Sequence, residues 1–376
     1  MSEWKECKLS CFMEFNPLTS MKKGTTGIKI RMEDLMPNEK KIRTWEISSF
    51  NGGAKFKNGD TLVARITPCL ENGKIGYVDI LKDDEVAFGS TEFIVLRKKE
   101  NISDSQFVFY LAYWNEFRDL AIQLMTGSSG RQRVETDALK NKIFLLPPLP
   151  EQKAIAEALS SLDDKIDLLH RQNKTLEAMA ETLFRQWFVE DADISTVKLG
   201  DIIEIFDSKR IPLSSTERDK RKLGALYPYY GAATIMDYIN DYIFDGEYLL
   251  LGEDGTVQTG DGYPILQLAT GKFWVNNHAH VIIAKKPYST FLLYSILKKT
   301  SISHIVTGAV QPKINQENLK SLEIEVPEEE AIKATVKQTN TIWDKMQCNN
   351  EQIKTLEKLR DTFLPKLMSG EVRIKV

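Results

Sequence analysis

Cysteine and histidine are scarce in this chain, with four of each among 376 residues. The cysteines are Cys7, Cys11, Cys69 and Cys348, and they lack the paired spacing and nearby histidines of structural zinc sites. We therefore expect reduced thiols and no bound metal. His278 and His280 stand two apart in a predicted strand, and we interpret them as a packed or hydrogen-bonded pair.

Long apolar runs and a leader sequence are also missing. No stretch approaches the roughly 18 apolar residues that a membrane span needs. The first ten residues, MSEWKECKLS, are polar and include acids, which does not fit a secretory signal peptide. We expect a cytoplasmic protein.

Motifs for nucleotide or cofactor chemistry are absent from the sequence. There is no GxxxxGK[ST] phosphate loop, and no glycine-rich cofactor loop accompanies Asn16-Pro17-Leu18, which we interpret as a turn. Glu253 and Asp254 are adjacent acids of the kind common at turns, and we interpret them as structural. We therefore expect no catalytic residues and no cofactor.

The charge balance argues against a protein that holds DNA alone. Fifty Lys and Arg residues face 53 Asp and Glu residues, for a net charge of -3, whereas a lone duplex-binding protein usually has a basic footprint. Basic residues concentrate in Lys22–Arg31 and Ser208–Lys222, and each run fits a solvated loop as well as a binding surface. Either the chain does not bind DNA, or partners supply much of the phosphate contact.

The most informative feature is an internal repeat of about 180 residues. The same offset of 180 relates Leu139-Lys140 to Leu319-Lys320, Asp164-Lys165 to Asp344-Lys345, and Lys174-Thr175-Leu176-Glu177 to Lys354-Thr355-Leu356-Glu357. Upstream the offset drifts, to 181 for Thr126-Gly127 with Thr307-Gly308 and 190 for Lys8-Leu9 with Lys198-Leu199. The pattern indicates a tandem duplication of a globular-plus-helix unit whose globular parts have diverged.

The globular parts show mixed α and β patterns. Runs rich in β-branched residues predict strands at Thr61–Ile66, Lys74–Leu81, Thr91–Lys98, Glu247–Leu251 and His280–Ala284. Apolar residues at helical spacing predict helices at Ser105–Met125 and Thr290–Leu297.

A long helix is predicted after each globular part. The first begins near Pro147, Pro148 and Pro150, and the second follows Pro327, with Pro365 expected to kink or end it just before Gly370. Spacings of 3 and 4 give each helix a coiled-coil seam with one internal asparagine. The first seam is Ile155, Leu159, Leu162, Ile166, Leu169, Asn173, Leu176, Ala180, Leu183 and Trp187; the second is Ile342, Met346, Asn349, Ile353, Leu356, Phe363 and Leu367. Matched seams favour pairing of the two helices with each other.

Several motifs together resemble one family. They are ENGK (Glu71–Lys74), FGSTEF (Phe88–Phe93), TGSSGRQRV (Thr126–Val134), LPPLPEQKAIAEAL (Leu146–Leu159), YPYYGA (Tyr227–Ala232), FDGEYLLLGEDG (Phe244–Gly255), FWVNNHAHV (Phe273–Val281), TGAVQPKIN (Thr307–Asn315) and the ending LRDTFLPKLMSGEVRI. In this order and duplication they resemble the specificity subunits of type I restriction–modification systems, over nearly the whole chain.

The resemblance implies an α+β fold with a pseudo-twofold internal repeat. It implies an N-terminal target recognition domain at 1–145, a central conserved helix at 146–190, a C-terminal target recognition domain at 191–326 and a C-terminal conserved helix at 327–376. The two helices would form an antiparallel coiled coil that sets the spacing of two half-sites. The segment VPEEEAIKAT, which begins at Val326, lacks the PLPEQ form of the first helix, so partner docking there is expected to differ.

The resemblance also implies a non-catalytic DNA reader with several partners. These are double-stranded DNA, two adenine methyltransferase subunits and motor–nuclease subunits, and enclosing methyltransferases would explain a near-neutral reader. Two alternatives stay open. A free-standing nuclease would cleave plasmid with a divalent metal, and a purely structural coiled-coil scaffold would show no preference between DNA sequences.

Candidate DNA-contacting residues follow from side-chain chemistry, because Arg suits guanine O6/N7 and Gln suits adenine N6/N7. The first set lies in one loop and comprises Ser128, Ser129, Arg131, Gln132 and Arg133, with Gln311 and Lys313 as the equivalent in the second half. Tyr229 and Tyr230 are expected either to stack on a sugar or to pack in the core. Lys74, after the Asn72-Gly73 turn, is expected either to reach a phosphate or to be solvated.

Overall fold

The chain divides into two compact units in a computed structural model that describes residues 3–128, 130–186, 194–308 and 311–374. The first unit is Met1–Arg171 with Asn350–Val376, and the second is Gln172–Asn349. In the described part of the chain, no helix has both the length and the apolar character needed to cross a bilayer.

The first unit holds two four-stranded sheets and two short ribbons. Its strands are β1 (Lys5–Lys8), β2 (Met13–Phe15), β3 (Thr26–Ile30), β4 (Glu46–Ser49), β5 (Ala54–Phe56), β6 (Thr61–Ala64), β7 (Ile75–Tyr77), β8 (Ala87–Gly89), β9 (Phe93–Lys98), β10 (Met125–Thr126), β11 (Arg133–Val134) and β12 (Ile143–Leu146). The sheets have the orders β2-β9-β6-β7 and β4-β3-β8-β5, and the ribbons are β1-β12 and β10-β11. Apolar side chains between them form two buried cores.

The helices of the first unit are short until the long one begins. They are α1 (Leu9–Phe12), α2 (Ser105–Tyr113), α3 (Asn115–Gln123) and α4 (Thr136–Lys140), followed by α5 (Leu149–Arg185). The prediction of one continuous helix at Ser105–Met125 is wrong, because Trp114 adopts an extended backbone (ψ 134°) between α2 and α3. The bend lets the indole of Trp114 pack on Phe144 in the core. The sequence did not reveal the bend, because the apolar residues of α2 and α3 follow one helical spacing through Trp114.

The second unit is built around one six-stranded sheet of order β14-β19-β17-β18-β15-β16 and one ribbon, β13-β20. Its strands are β13 (Ile194–Lys198), β14 (Ile203–Ile205), β15 (Tyr227–Tyr230), β16 (Ile235–Ile239), β17 (Phe244–Gly252), β18 (Leu266–Val275), β19 (Ala279–Ala284) and β20 (Glu323–Pro327). Its helices are α6 (Leu199–Ile202), α7 (Ser215–Asp219), α8 (Thr290–Leu297) and α9 (Gln316–Ser321), followed by α10 (Glu329–Met368). The predicted helix Thr290–Leu297 is confirmed.

The duplication is visible as the same frame in both units. In each, the first strand pairs antiparallel with the strand that precedes a long helix: β1 with β12, and β13 with β20. A four-residue helix follows the first strand in each unit. Its first amide donates to the carbonyl of the residue that precedes the paired strand: Leu9 N to Lys142 O (2.9 Å) in the first unit and Leu199 N to Leu322 O (2.8 Å) in the second. The frame therefore kept its backbone contacts while the sheets diverged.

The PLPEQ sequence at the start of α5 makes internal contacts. Gln152, 1 % exposed, donates to the carbonyl oxygens of Ile102 and Pro147 and accepts from the amide of Asp104. Glu151 pairs with Arg373, with Nη2 2.7 Å from Oε2. In the second copy the position of Gln152 is taken by buried Ile332, so an apolar contact replaces these polar ones. The start of α5 is therefore attached to its unit by polar contacts, and the start of α10 by an apolar contact.

Within the first unit, α5 and α10 run antiparallel. Ile166 and Leu169 of α5 cluster with Ile353 and Leu356 of α10, whereas Asp163, earlier in α5, meets Arg360, later in α10. The end of α10 then enters the main core of this unit through Leu364, Leu367 and Met368.

A buried polar network surrounds the Asp163–Arg360 pair. Arg360 Nη1 lies 2.9 Å from Asp163, the hydroxyl of Tyr110 donates to Asp163, and both charged side chains are nearly inaccessible. Lys40 donates to Gln106, Tyr110 and Ser160, and burial lowers the pKa of its ammonium group to about 8. Because every member has a partner, the network holds the two helices and α2 in one arrangement.

Within the second unit the antiparallel pairing continues. Asn349 Nδ2 donates to Asn173 Oδ1 (2.8 Å), and Asn349 is fully buried. Beyond this pair, Ala180 packs with Ile342 and Trp343. The two asparagines that stood inside the predicted seams are thus partners of each other.

The second seam differs from the prediction at one position. Phe363 is 44 % exposed, and the seam instead passes through buried Arg360 and Leu364. Because arginine is charged, the apolar periodicity used to predict the seam could not place Arg360 in it. Helix α10 continues past Pro365 to Met368 and ends before Gly370, which has φ +75°. Trp187, the last predicted member of the first seam, lies outside the described residues.

The asparagine pair generates a stability prediction. Asn349→Ala removes the bond to Asn173 and leaves a space in a buried position, so we expect a loss of about 1–3 kcal/mol in the free energy of unfolding. Replacing both asparagines by leucine should raise the free energy of unfolding and loosen the register, as apolar pairs do in coiled coils. Urea denaturation monitored by circular dichroism measures both effects.

The control for this prediction is Lys354→Ala, an exposed position on the same helix. If Asn349→Ala and Lys354→Ala have the same denaturation midpoint as the unaltered chain, the asparagine pair contributes nothing to helix pairing.

Candidate nucleic-acid interface

The first candidate loop is a closed hairpin. Strands β10 and β11 pair through Met125 with Val134 and Thr126 with Arg133, and they enclose residues 127–132. Gly127 (φ +119°) and Gly130 (φ +78°) supply left-handed backbone, and the amide of Arg131 bonds to the carbonyl of Ser128 (3.0 Å). Ser129 lies outside the described residues.

A carboxylate holds the base of this hairpin. Arg133 binds both oxygens of Glu92, with three nitrogen–oxygen distances of 2.7 to 3.0 Å, and Arg65 Nε lies 3.4 Å from the same carboxylate. The hydrogen bond from Arg133, against some desolvation, lowers the pKa of Glu92, so it is ionised at neutral pH. Arg133 is therefore held by Glu92, with 43 % of its side chain exposed, and its DNA contact stays a prediction.

The tip of the hairpin presents the remaining predicted side chains. Ser128 and Arg131 are exposed, and Arg131 makes no ion pair within the described ranges. Gln132 is half-buried, and its carbonyl accepts from the amide of Thr67 (3.0 Å), which anchors the backbone next to the guanidinium of Arg131. The loop therefore offers one cation and one amide on a fixed backbone.

The second candidate loop has the same construction. Thr307 and Lys313 bond to each other through both amides (2.8 and 2.7 Å), with Gly308 (φ +88°) opening the loop. A Cβ at Gly308 would lie 2.2 Å from the carbonyl oxygen of Gln311, so no other residue fits without moving the backbone. The side chain of Gln311 is exposed.

A carboxylate also supports the second loop. Lys313 Nζ lies 3.4 Å from Glu253, and Arg210 Nη1 lies 2.6 Å from the other oxygen of the same carboxylate. The amide of Ile314 bonds to the carbonyl of Glu253, which fixes the end of the loop. In both units a basic residue at the end of the loop thus shares one glutamate with an arginine: Arg133 with Arg65, and Lys313 with Arg210.

Asp207, Glu253 and His280 form a group of potential metal ligands next to this loop. Their atoms already have protein partners: His280 Nδ1 lies 2.6 Å from Asp207, its Nε2 lies 2.8 Å from the carbonyl of Ile314, and Gln316 donates to Asp207. Burial raises the pKa of Asp207, but hydrogen bonds led by that from His280 outweigh it and lower the pKa overall. The cluster is a buried ionic network that carries Arg210 as its cation. His278, by contrast, is partly exposed and pairs with Asp254.

Three other predicted side chains have internal contacts. Lys74 is partly exposed, and its Nζ donates to the carbonyl of Met32 (2.8 Å). Tyr229 is 1 % exposed, and its hydroxyl accepts from the amide of Leu213. Tyr230 is half-buried with its ring edge-on to Phe273. Tyr229 is thus packed in the core, whereas Tyr230 keeps part of its surface exposed.

The glutamates and arginines that hold the two loops were not predicted from the sequence. Glu92 and Glu253 lay inside the quoted FGSTEF and FDGEYLLLGEDG motifs, but their partners are 41 and 60 residues away along the chain. Arg65 stood in a predicted strand. No local pattern could have paired these residues, because only strand pairing brings them together.

Comparison with known proteins decides the family. A family model described as the type I restriction modification DNA specificity domain matches residues 1–178 and again 192–358. The chain belongs to this family. The two matched ranges correspond to the two copies found by the internal repeat, and the family's specificity domain is therefore present twice.

Curated members of the family align with different fractions of this chain. A putative type I restriction enzyme specificity subunit of Haemophilus influenzae is 31 % identical over 144 residues, which cover 38 % of this chain and 36 % of the relative. The MjaIX specificity subunit of Methanocaldococcus jannaschii is 24 % identical over 352 residues, which cover 85 % of this chain and 79 % of the relative.

One solved structure supports the same fold. The S subunit of a type I restriction–modification system from M. genitalium covers 97 % of this chain and 96 % of its own, with a TM-score of 0.55 and 16 % identity. At that identity the likeness concerns the fold, and it agrees with the predicted two mixed α/β domains with long helices.

The second hairpin yields a prediction about backbone strain. Gly308→Ala should open the loop, because the added Cβ meets the carbonyl of Gln311, and the amide hydrogens of Thr307 and Lys313 should then exchange faster with solvent. Hydrogen–deuterium exchange measures this directly. Gly130→Ala is the matched control, because its φ is also positive but a Cβ there has no neighbour within 4 Å. Equal protection in the two variants would contradict the steric argument.

Proposed function

We propose that this chain is the non-catalytic, sequence-reading subunit of a type I restriction–modification enzyme. Each globular part reads one half of a split, asymmetric DNA site, through the loop at 127–132 in the first unit and the loop at 308–312 in the second. The observation that carries the proposal is that both copies of the family domain hold an exposed hairpin on a carboxylate that is shared by two basic residues.

The chemistry of the loops supports base reading. Arg131 is exposed and suits the O6 and N7 acceptors of guanine, and Gln132 and Gln311 suit adenine. Because the hairpin backbones are held by strand pairing and by Glu92 or Glu253, these side chains start from a defined position. Preorganised contacts of this kind cost less ordering entropy on binding.

Partners account for the charge balance. With a net charge of -3, the chain has little excess positive charge for contacts to phosphates. We therefore infer that two adenine methyltransferase subunits enclose the duplex and supply most of the basic contacts. Motor–nuclease subunits would complete a restriction enzyme, and the chain would act in the cytoplasm with them. A free-standing nuclease lacks support, because the carboxylates of Asp207 and Glu253 are already engaged by the guanidinium of Arg210 and by a hydrogen bond between Asp207 and His280.

The long helices are proposed as the spacer between half-sites. The boundary between the two units falls after Arg171 in α5 and before Asn350 in α10, next to the Asn173–Asn349 pair along each helix. A change of helix length at that level would alter the spacing without touching either reading loop.

The first functional prediction separates the two half-sites. Arg131→Ala and Gln132→Ala should relax recognition in one half-site, and Gln311→Ala in the other, because each good bidentate base contact is worth about 1–3 kcal/mol of discrimination. The measurement is sequencing of methylated adenines in a host that expresses each variant with its methyltransferase.

The variants in the two units serve as controls for each other. A uniform fall in methylation at all sequences would mean that these side chains contact phosphates. If the unaltered chain produces no two-part methylation motif with its methyltransferase, the proposed function itself is wrong.

The second functional prediction tests the spacer. Inserting one heptad after Asn173 and one before Asn349, on the same side of the asparagine pair, keeps both seams in phase and adds about 10.5 Å of helix, roughly 3 base pairs of DNA. We expect the gap between half-sites to widen by up to that amount while the bases read at each end stay the same.

Methylation mapping of the lengthened chain gives the result. A heptad inserted after Asn173 alone is the control. It lengthens only α5, so the residues beyond the insertion can no longer meet their partners in α10, and activity should be lost. Full activity of the doubly lengthened chain with an unchanged gap would show that the helices do not set the spacing.

A further inference from the structure

A second surface of the first unit adjoins the reading loop. It is a cleft of about 360 Å³ whose lining includes Asn16, Leu18, Lys55, Arg65 and Thr91. Arg65 connects the cleft to the hairpin, because its carbonyl accepts from the amide of Val134 (2.9 Å) and its guanidinium shares Glu92 with Arg133. The cleft and the loop at 127–132 are therefore parts of one continuous surface.

Leu18 stands at the rim of this cleft with a side chain that is 104 % exposed. Its position is fixed on both sides: Asn16 (φ +48°) exchanges hydrogen bonds with Val95 through its amide (2.7 Å) and side chain (2.9 Å), and Thr19 accepts from Arg97 (3.2 Å). An apolar side chain held on an anchored turn with no apolar contact of its own has no role in the stability of this fold. The anchoring favours a contact outside the chain.

The charges around Leu18 identify the class of partner. Lys22 and Lys23 follow on the same loop, are exposed and make no ion pair with other described residues. Lys55 and Arg65 line the cleft, and Glu92 is shared by two arginines, which leaves an excess of positive charge. An apolar tip among cations fits DNA, whose phosphates surround apolar base faces, and leucine is among the side chains that wedge between base steps.

We propose that Leu18 is an apolar wedge that enters the first half-site next to the bases read by the loop at 127–132, with Lys55 of the cleft on an adjacent phosphate. This inference rests on the proposed function, and it adds a second specificity-determining contact to one half only. Through the unstacking of a base step, the first half-site would be selected partly by how easily its DNA deforms.

The second unit has no apolar side chain at the position that corresponds to Leu18. The offset of 190 that relates β2 to β14 places Ser208 at the position of Leu18, in the short helix Asp207–Lys209. Pro17 corresponds to Asp207, whose carboxylate is turned into the buried network with His280. The two half-sites should therefore differ in their dependence on DNA deformability.

The experiment uses the chain assembled with its methyltransferase subunits on a duplex that carries the methylation motif of the unaltered complex. The adenine analogue 2-aminopurine is placed at successive positions, since its fluorescence rises when a base is unstacked. The unaltered complex should raise the fluorescence at one step in the half-site that Arg131→Ala affects. Leu18→Ala should abolish the rise and weaken binding of that duplex about tenfold or more, the order expected for losing a buried leucine contact.

Three further variants make the result specific. Leu18→Met should restore most of the fluorescence signal, because methionine also wedges between bases. Leu145→Ala, a leucine 51 % exposed on β12 outside the cleft, should behave as the unaltered chain. Lys55→Ala should reduce the slope of log affinity against log salt by about 0.9, the value for one phosphate contact, without changing the fluorescence.

The outcomes distinguish this inference from the proposed function. If Leu18→Ala behaves like Leu145→Ala, or weakens all sequences equally without loss of an unstacking signal, the wedge is refuted while a two-part motif still supports the reading function. If the unaltered complex shows no motif at all, the proposed function fails, and the wedge fails with it.

Discussion

The buried ion pair between Asp163 and Arg360 is the contact on which the first unit depends. It joins a residue of α5 to one of α10 that is 197 positions later, inside a network with Tyr110, Ser160 and Lys40. A buried charge without its partner costs about 3–5 kcal/mol, so neither residue can be lost alone. Through this pair and the apolar residues after it, the first globular part is completed by the C-terminal stretch of the chain.

The two long helices also depend on each other along their whole pairing. Each unit contains a segment of both long helices, so neither copy of the duplicated domain closes its core with its own helix alone. The asparagines at 173 and 349 place a polar bond where a shifted register would bury unpaired amides, which favours one alignment. Helix length and register are thereby constrained, whereas the sheets between the helices could diverge.

The reading loops show how a near-neutral protein can present basic side chains. Arg133 and Lys313 are each paired with a glutamate while remaining partly exposed, and they flank loops that carry Arg131 and Gln311. The basic residues that flank these loops therefore have a structural role as well, and part of their charge is already balanced by glutamate. Partners that supply the remaining charge are consistent with this arrangement.

The sequence by itself determined the duplication, the two long helices and the family, because these depend on local periodicity and on motifs that recur at a fixed offset. It proposed the two loops from side-chain chemistry, whereas their hairpin form, with Gly127 and Gly308 in left-handed backbone, appeared only in the structure. Only the tertiary structure decided that Arg133, Lys74 and Tyr229 are engaged internally, that Trp114 divides one helix into two, and that Arg360 replaces Phe363 in the seam. The reason is physical: strand pairing and helix packing bring together residues 40 to 200 positions apart, and which polar group then finds a buried partner is not encoded in any local pattern.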